Sequence, residues 1–325
     1  MKKVLVMGGN QFLGKRVCEI LLEKKYEVFA INRGNRENLK NINFLKCDRN
    51  KEKELRKITE NLKVDYIVDI SAYTGEQANI LQKIMSGKFK QYILISSASV
   101  YNNIESYPVQ EKSSKGKNEI WGQYAEDKYL TEKITIENSD KYNFKYTIFR
   151  PFYIYGEENN LDRERYIFSR IENDLPIFIP NDGSNIIQFG YVDDLVEGII
   201  YSFDNEKFFN EDFNISGEEG LTIEKYIDIC GEIANKKVNK YFVNLEMEKL
   251  FVNLEMEKLK ARDWFPFRNV HLLGDITKLK TTGFRIEYTF KNGMKKTYDY
   301  LIKNNILQVP KVNDIEKKLY KKNNI

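Results

Sequence analysis

Six short apolar segments in the first half of the chain constrain its fold more than any other feature. They are rich in Val, Ile and Phe, do not alternate apolar with polar residues, and lie at Lys3–Met7, Glu27–Asn32, Asn43–Lys46, Tyr66–Ser71, Gln91–Ser96 and Lys145–Phe149. Continuously apolar strands belong to parallel sheets that are buried on both faces. Helical patterns separate most of these segments, so the sequence predicts an α/β fold with a doubly wound parallel sheet.

The strand–helix pattern loosens after Tyr155, which predicts two parts. We expect residues 1–155 to form the doubly wound domain, with residues 186–203 returning to it, and residues 156–325 to form a smaller C-terminal α+β lobe. The lysine- and asparagine-rich tail beyond Pro310 is expected to be frayed.

Two helix starts in the second half can be predicted from capping residues. Asp193 or Asp194 is expected to cap a helix at Leu195–Phe203, and Thr222 to cap a helix at Ile223–Ala234.

A nine-residue segment occurs twice in succession, at Phe242–Leu250 and Phe251–Leu259. Nine residues advance a helix by two and a half turns, so the second copy would lie about 180° around the helix axis from the first. Both copies therefore cannot bury the same side chains in one unbroken helix. A shift of nine residues also changes faces in a strand. We expect one copy to face the core and the other to be bulged or exposed.

Composition excludes several classes of function. The net charge of +4 over 325 residues is too small to indicate a nucleic-acid partner by itself, and the single histidine argues against a zinc site of the usual kind. No apolar stretch approaches the roughly 18 residues that a membrane span needs, and the chain starts directly with a strand. The three scattered cysteines are typical of reduced thiols, so we expect a cytoplasmic protein. With so few Cys and His residues we expect no metal site.

The first predicted strand leads into the sequence GGNQFLG, which predicts a loop that holds the diphosphate of a dinucleotide. Gly8 and Gly9 permit positive φ, Gly14 allows close packing of the next helix, and the helix N-terminus offers free amides to a phosphate. Gln11 replaces a central glycine, so its side chain must point away or donate its amide to the phosphate. The predicted dinucleotide contacts in this loop are Gly8, Gly9, Gln11, Phe12, Leu13 and Gly14.

The residues after the second and third strands bear on the choice of cofactor. No acid follows the second strand, and Arg33 can bind a 2′-phosphate, which favours NADP over NAD, although NAD stays open. Arg33 and Arg36 can equally be solvated loop charges. Asp48, after the third strand, can accept from the adenine amino group or can be an ordinary turn residue.

A serine, a tyrosine and a lysine form the candidate catalytic group. Serines follow the fifth strand, and Tyr124 and Lys128 lie four residues apart on one predicted helix. A nearby ammonium stabilises a phenolate and lowers the tyrosine pKa, so this set can move a proton during hydride transfer. Tyr129 and Lys133 have the same spacing. We prefer Tyr124 because the small Ala125 follows it, whereas Leu130 in the equivalent place is expected to be core.

These motifs together resemble the extended short-chain dehydrogenase/reductase family, the NAD(P)-dependent sugar-nucleotide epimerases and dehydratases. The resemblance covers most of the chain and includes GGNQFLG, ISSASVY, YAEDK, FRPFYIYG, the segment from Leu175 to Leu195, and FNISG. It implies a Rossmann domain and a C-terminal substrate-binding lobe. It also implies a nucleotide-sugar substrate and a homodimer joined through the helix that carries Tyr124 and its neighbour. Because no apolar stretch is long enough to span a bilayer, we expect no membrane association.

The resemblance also implies roles for individual residues. Ser97 would be the catalytic serine, Tyr124 the acid/base and Lys128 its partner. The residues that would line the cofactor are Ser71, Ala72, Tyr73 and Pro151. The segments Asn159–Arg170 and Trp264–Arg268 would reach the substrate. Gln11 and the Asn-Arg-Gly sequence after the second strand depart from the usual pattern of this family and indicate an atypical branch of it.

Two classes of function stay open at this point. The first is an epimerase or reductase that acts on a nucleotide sugar or a related small molecule. The second is a catalytically silent Rossmann protein that binds RNA or a regulatory partner. The complete set of Ser97, Tyr124 and Lys128 argues for the enzyme, because a binding protein has no need of it.

Overall fold

The computed structural model describes residues 1–245 and 260–323. The described chain divides into two compact units. The first contains residues 1–154, 190–217 and 274–287, and the second contains the rest. The predicted domain boundary after Tyr155 stays a prediction. Most of the nine-residue repeat falls at 246–259, so the expectation for its two copies lies outside the described residues.

The strands are short and most of them are buried. In chain order they are β1 Lys3–Met7, β2 Glu27–Asn32, β3 Asn43–Lys46, β4 Tyr66–Asp69, β5 Gln91–Ile95, β6 Lys145–Pro151, β7 Tyr153–Tyr155, β8 Ile177–Pro180, β9 Ile186–Tyr191, β10 Glu211–Ile215, β11 Gly220–Thr222 and β12 Lys240–Val243. Seven of them form one parallel sheet in the order β10-β6-β5-β4-β1-β2-β3. This arrangement confirms the predicted doubly wound sheet.

The register of the central strands brings their carboxyl ends to one edge of the sheet. Met7 pairs with Asp69, Asp69 with Leu94, and Ile95 with Phe149. Every residue of β4 and β5 is buried. Burial on both faces explains why these strands are continuously apolar, and the common edge is where ligands bind in open α/β sheets.

Helices follow most of the strands. They are α1 Phe12–Glu23, α2 Glu52–Ile58, α3 Gly75–Ile84, α4 Gln123–Tyr142, α5 Glu164–Glu172, α6 Val192–Tyr201, α7 Ile223–Ala234, α8 Thr277–Thr281, α9 Phe290–Lys303 and α10 Asp314–Lys322. Within the described ranges, none of the helices has the length and apolar character needed to cross a bilayer.

Helices α3 and α4 pack against each other through polar side chains as well as apolar ones. Gln82 donates to Thr135 Oγ1 at 2.9 Å, and Asn138 donates to Gln82 Oε1 at 2.8 Å. Gly75 lets the helices come close, because a Cβ there would lie 3.3 Å from the Leu130 carbonyl oxygen. The pair is therefore held by buried hydrogen bonds at a short interhelical distance.

The second unit has its own core. Strands β8 and β12 pair in parallel, and β9 and β11 pair antiparallel. An aromatic cluster fills the interior, in which the ring of Phe189 lies 4.9 Å from Tyr226, 5.5 Å from Phe267 and 5.3 Å from Phe290. Such offset and edge-on ring contacts add to the free energy of apolar burial.

The structure confirms one of the two predicted helix caps and contradicts the other. Thr222 caps α7 and accepts from the Lys225 amide. Helix α6 instead begins at Val192, so Asp193 and Asp194 lie inside its first turn. Asp193 accepts from Arg16 Nε at 2.6 Å, and this ion pair takes its carboxylate away from a capping role.

The C-terminal tail is not frayed over Asp314–Lys322, contrary to the expectation. Asn313 and Glu316 form a capping box at the start of α10. Glu316 also forms a buried ion pair with Arg170 and accepts from the Tyr166 hydroxyl at 3.1 Å. Leu319 is buried beside these groups. The tail is therefore fixed to α5 by a polar anchor that its composition does not reveal.

Substitution Glu316→Gln should destabilise the second unit, because it leaves the Arg170 guanidinium buried without its charged partner. Removing one member of a buried ion pair costs about 3–5 kcal/mol. Urea unfolding followed by the fluorescence of the buried Trp264 measures this loss. Asp314→Asn, which removes an exposed ion pair with Lys317, should leave the midpoint nearly unchanged. Equal midpoints for the two variants would contradict the anchor.

Candidate active site

The turn from β1 into α1 requires glycine at three places. Gly8 has a φ of +93°. A Cβ on Gly9 would lie 2.7 Å from Cys18 Sγ, and a Cβ on Gly14 would lie 2.0 Å from the Gly8 carbonyl oxygen. These close approaches hold the start of α1 against the end of β1.

Gln11 is the residue immediately before α1. Its backbone is extended, with φ −147° and ψ 134°, and its side chain makes no capping bond to the helix. Its carbonyl accepts from the Gly14 amide at 3.0 Å. Phe12, with φ +40°, and the buried Leu13 begin the helix, whose first turn contains no acidic residue. Because the first amides of a helix lack intrahelical partners, this loop fits the diphosphate of a dinucleotide.

The end of β2 is neutral and tied to the glycine loop. Asn32 Oδ1 accepts from the Gly34 amide at 2.8 Å and from Asn10 Nδ2 at 3.1 Å. Arg33 is exposed in the turn that follows. The geometry therefore places an amide where an acid would otherwise read the ribose, and it leaves the Arg33 guanidinium in solvent.

Asp48 lies in the turn after β3. Its Oδ1 accepts from both the backbone amide and the side-chain amide of Asn50, each at 2.9 Å. This is the geometry of an ordinary aspartate turn. The contact with adenine stays a prediction.

A buried polar network under the end of β4 is the main feature that the sequence reasoning missed. Arg49 donates two 2.7 Å hydrogen bonds to the fully buried Asp69, and the Tyr92 hydroxyl donates a third at 2.5 Å. Burial raises the pKa of the Asp69 carboxyl, but the charge and hydrogen bonds of Arg49 outweigh burial and lower it. Arg49 also donates to Ser71 Oγ at 3.0 Å. The network fixes the residues that follow β4.

Lys128 reaches from α4 to the carboxyl ends of two strands. Its ammonium donates to the carbonyl oxygen of Ala72 at 2.8 Å and to that of Ile95 at 3.0 Å. It also lies 5.2 Å from the centre of the exposed Tyr73 ring. Burial lowers the Lys128 pKa from 10.5 to about 8, although the Asp69 charge opposes this change. The structure thus brings Lys128 together with Ala72 and Tyr73.

Ser97 follows β5 and starts a short 3₁₀ turn. Its Oγ accepts from the Ser99 amide at 3.1 Å. A hydroxyl that accepts through its oxygen can still donate its proton, so Ser97 can bind a substrate oxygen. Ser99 is buried, and its Oγ lacks a hydrogen-bond partner in the described part of the chain.

Tyr124 lies in the first turn of α4, one helical turn before Lys128, and is 41% exposed. Ala125 is fully buried as a packing residue, whereas Leu130 is 43% exposed, so the expectation that Leu130 is core was wrong. The competing Lys133 is exposed and lies 6.0 Å from the Tyr129 ring. The burial of Lys128 favours the Tyr124 pair, and the catalytic roles stay predictions.

Most of the predicted site residues share one edge of the sheet. Gly8, Arg33, Ser71 and Ser97 each follow the carboxyl end of a parallel strand of the sheet, and Pro151 is the buried last residue of β6. The strand order β6-β5-β4-β1-β2 makes these ends neighbours. Asp48, after β3, lies at the outer end of the same row.

The segments expected to reach the substrate lie in the second unit. Asn159 donates to the buried Glu164 at 2.8 Å, and burial raises the Glu164 pKa to about 7. Trp264 is buried and donates its indole N–H to the Phe178 carbonyl oxygen at 2.9 Å. Trp264 therefore serves the core of that unit.

Among residues 1–245 and 260–323, no group of three or more His, Cys, Asp or Glu side chains is placed to hold a metal ion.

The lowered pKa of Lys128 predicts a pH dependence of stability. Between pH 8 and 10.5 the unfolded chain binds a proton at Lys128 that the folded chain has lost, so the free energy of unfolding should rise with pH over this range. One pKa unit corresponds to about 1.4 kcal/mol, which gives a rise of about 3 kcal/mol. Urea unfolding of the wild type and of Lys128→Met at pH 7 and pH 10 measures it. A difference between the two proteins that does not change with pH would contradict the prediction.

Comparison with known proteins identifies the family and the fold of the chain. The family model described as "NAD dependent epimerase/dehydratase family" matches residues 4–216. The chain is 27% identical over 315 residues to the chloroplast stem-loop binding protein of 41 kDa b from Arabidopsis thaliana, covering 92% of this chain and 79% of that protein.

Two solved structures show the same fold. The UDP-glucose 4-epimerase of Thermotoga maritima, solved with UDP-glucose, has a TM-score of 0.77 at 20% identity, covering 93% of this chain and 99% of that one. The UDP-glucuronic acid 4-epimerase of Bacillus cereus, solved with UDP-glucuronic acid and NAD, has a TM-score of 0.75 at 20% identity with the same coverage. The family match spans most of the first unit, from β1 to the residue after β10, and the predicted family is thereby confirmed: the chain belongs to the NAD dependent epimerase/dehydratase family.

Proposed function

We propose that the protein is an NAD-dependent epimerase of nucleotide sugars. The observation that carries the proposal is the buried Lys128 ammonium, which α4 holds at the ends of β4 and β5, one helical turn from Tyr124 and beside the strand that leads to Ser97. The family of the chain supports this reaction, as do the UDP sugars bound in the two epimerases of similar fold.

The residues of the chain have distinct roles in this reaction. When bound, the nicotinamide supplies an acceptor and donor of hydride. Tyr124 takes the proton of a sugar hydroxyl as the carbon is oxidised, and it returns that proton when the ketone is reduced on its other face. The Lys128 charge stabilises the phenolate form of Tyr124, and the Ser97 hydroxyl donates to the sugar oxygen. The cofactor is regenerated in each cycle, which distinguishes an epimerase from a reductase.

We further propose NAD as the cofactor, in place of the NADP that the sequence favoured. The family is described as NAD dependent, and the Bacillus cereus epimerase was solved with NAD. Arg33, the residue on which the NADP expectation rested, is exposed, and the neutral Asn32 ends β2. A 2′-phosphate would need to draw Arg33 out of solvent, whereas NAD makes no such demand.

Substitution Tyr124→Phe should greatly slow turnover with little change in fold, because it removes only the hydroxyl that transfers the proton. General acid/base groups contribute about 10²–10⁴-fold, so we expect a fall in kcat of about 10³-fold. The assay incubates the protein with UDP-glucose or UDP-glucuronic acid and a substoichiometric amount of NAD, and separates the epimers by chromatography.

Tyr142→Phe is the matched control, since it removes a hydroxyl from the other end of α4 and should keep full activity. Loss of turnover in Tyr129→Phe but not in Tyr124→Phe would assign the reaction to the competing pair. The binding-only alternative would be supported by two results together. The wild type would convert neither sugar, and the wild type and Tyr124→Phe would bind a stem-loop RNA with equal affinity. Stoichiometric consumption of reduced cofactor would indicate a reductase.

Cofactor choice can be tested by titration. NAD should bind at least about tenfold more tightly than NADP, and Arg33→Gln should change the NAD dissociation constant by less than about twofold. Arg36→Gln is the control, because it removes an equally exposed charge from the same loop. Tighter binding of NADP that is lost in Arg33→Gln and kept in Arg36→Gln would overturn the assignment to NAD.

A further inference from the structure

One peptide group after β4 is held at both of its polar ends by side chains. The peptide between Ala72 and Tyr73 accepts from the Lys128 ammonium through its carbonyl oxygen at 2.8 Å, and it donates its N–H to Gln77 Oε1 at 2.8 Å. A peptide that donates at its N–H becomes a better acceptor at its oxygen, because hydrogen bonds in series polarise one another. Gln77 therefore affects how strongly this oxygen binds the lysine.

The side chain of Gln77 continues the series to the turn after β3. Its Nε2 donates to Asn50 Oδ1 at 3.0 Å, and Asn50 Nδ2 donates to Asp48 Oδ1 at 2.9 Å. The four hydrogen bonds all donate in the same direction, from the Lys128 ammonium to the Asp48 carboxylate, and we call them the Lys128–Asp48 series. A carboxylate has two oxygens, so Asp48 Oδ2 can still accept from the adenine amino group.

The backbone of Gln77 is fixed independently of this series. Its N–H donates to Thr74 Oγ1, which caps α3, and its carbonyl oxygen accepts from Arg49 Nη2 at 3.1 Å. Arg49 is itself held by its two hydrogen bonds to Asp69. A side chain that starts from a fixed backbone loses less freedom when it bridges two groups. Gln77 is therefore a preformed link between the turn after β3 and the peptide that binds Lys128.

The protonation of Lys128 depends on its surroundings because the side chain is buried. Burial is the largest effect and lowers its pKa from 10.5 to about 8. A protonated amine binds a carbonyl oxygen more strongly than a neutral amine does. A stronger acceptor at Ala72 therefore favours the protonated lysine. The charged and titratable groups that face the ammonium come from several elements and are Asp69 and Glu132, which raise its pKa, Arg49, which lowers it, and the ring of Tyr73.

We propose that Gln77 and Asn50 are positioning residues that couple the adenosine end of the dinucleotide site to Lys128. Adenosine at Asp48 fixes Asn50 and Gln77, and through them the peptide oxygen, in the arrangement that favours the protonated lysine. Coupling between two sites is reciprocal, so the protonated lysine favours adenosine binding by the same factor. The inference rests on the proposed function, from which it takes the dinucleotide and the role of Lys128.

The test is an NMR titration of the whole protein with adenosine at pH 7 and at pH 9.5. Adenosine is uncharged at both values and lacks the nicotinamide, so it acts on Lys128 neither by its charge nor by direct contact at the catalytic end. Lys128 is mostly protonated at pH 7 and mostly neutral at pH 9.5. The wild type should bind adenosine at least about threefold more tightly at pH 7. Lys128→Met should bind it equally at both values.

Substitution Gln77→Leu should also remove the pH difference, because leucine neither accepts from the Tyr73 amide nor donates to Asn50. Asn79→Leu is the matched control, since it removes a half-buried amide from the same helix. Asn79 accepts from Asn138 at 3.0 Å and lies outside the series, so this variant should keep the pH difference of the wild type. A merely structural role of α3 would affect both variants alike.

Two further variants complete the test. Asn50→Ala changes an exposed residue and should remove the pH difference even where Gln77→Leu does not fold. Cys47 is the other titratable side chain beside Asp48, since its thiol lies 3.3 Å from the Asp48 carbonyl oxygen, and burial raises the pKa of that thiol. Cys47→Ala should keep the pH difference. A difference that is lost in Cys47→Ala and kept in Lys128→Met would assign the effect to the thiol and overturn the proposal.

The proposal would also be overturned by any of three other results. They are the absence of measurable adenosine binding to the wild type, equal affinity of the wild type at the two pH values, and a pH difference that persists in Gln77→Leu or disappears in Asn79→Leu. The adenosine titrations need no turnover. Tyr124→Phe should keep the pH difference while it loses epimerase activity. Failure of the proposed reaction would therefore appear only in the sugar assay, and failure of the coupling only in adenosine binding.

Discussion

The contact between the Lys128 ammonium and the ends of β4 and β5 is the interaction on which the candidate site depends. A helix that only packed on the sheet through apolar groups could slide or rotate by a fraction of a turn. Hydrogen bonds to the Ala72 and Ile95 carbonyl oxygens fix α4 in both respects. Burial lowers the pKa of Lys128, and the charges of Asp69 and Glu132 offset this desolvation only in part. A charge kept buried against such a penalty is typical of functional sites.

The buried face of α4 continues this polar character. The polar residues buried along the helix are Lys128, Thr131, Glu132, Thr135, Asn138 and Ser139. Glu132 accepts from Ser96 Oγ at 2.5 Å and from Arg150 Nε at 2.8 Å, which joins α4 to β6 and to the residue before Ser97. These paired charges favour one position of α4 on the sheet, because a shift of the helix would leave the charges buried without hydrogen-bond partners.

This polar packing also explains where prediction from the sequence succeeded and where it failed. The central strands were predicted to within about two residues, because each buried strand is a continuous apolar run that can be recognised locally. The assignment of Leu130 to the core was wrong. The buried side of α4 is mostly polar, and some apolar residues of the helix, Leu130 among them, are exposed. The partners of Asp69 and Glu132 lie on other elements, and no local pattern indicates such pairs.

The C-terminal tail is a second case in which the local sequence reveals only part of the structure. The capping box of Asn313 and Glu316 is a local signature that can be read from the sequence. What makes α10 dock is the ion pair with Arg170, which lies 146 residues earlier in the chain. Composition indicated a solvated tail because lysine and asparagine dominate it. A single buried partner is enough to reverse that expectation.

The two Tyr-x-x-x-Lys pairs of α4 show why spacing alone cannot assign a catalytic residue. Tyr124 and Lys128 have the same separation along the helix as Tyr129 and Lys133, yet Lys128 is 3% exposed and Lys133 lies in solvent. A unit charge 4 Å from another contributes about 1 kcal/mol in water and about 4 kcal/mol at the effective dielectric constant of a protein surface. Only the larger value can lower a phenol pKa by the several units that neutral-pH catalysis requires. The surroundings of the lysine, set by the carboxyl ends of β4 and β5, therefore favour Tyr124 over Tyr129 as the base in the proposed reaction.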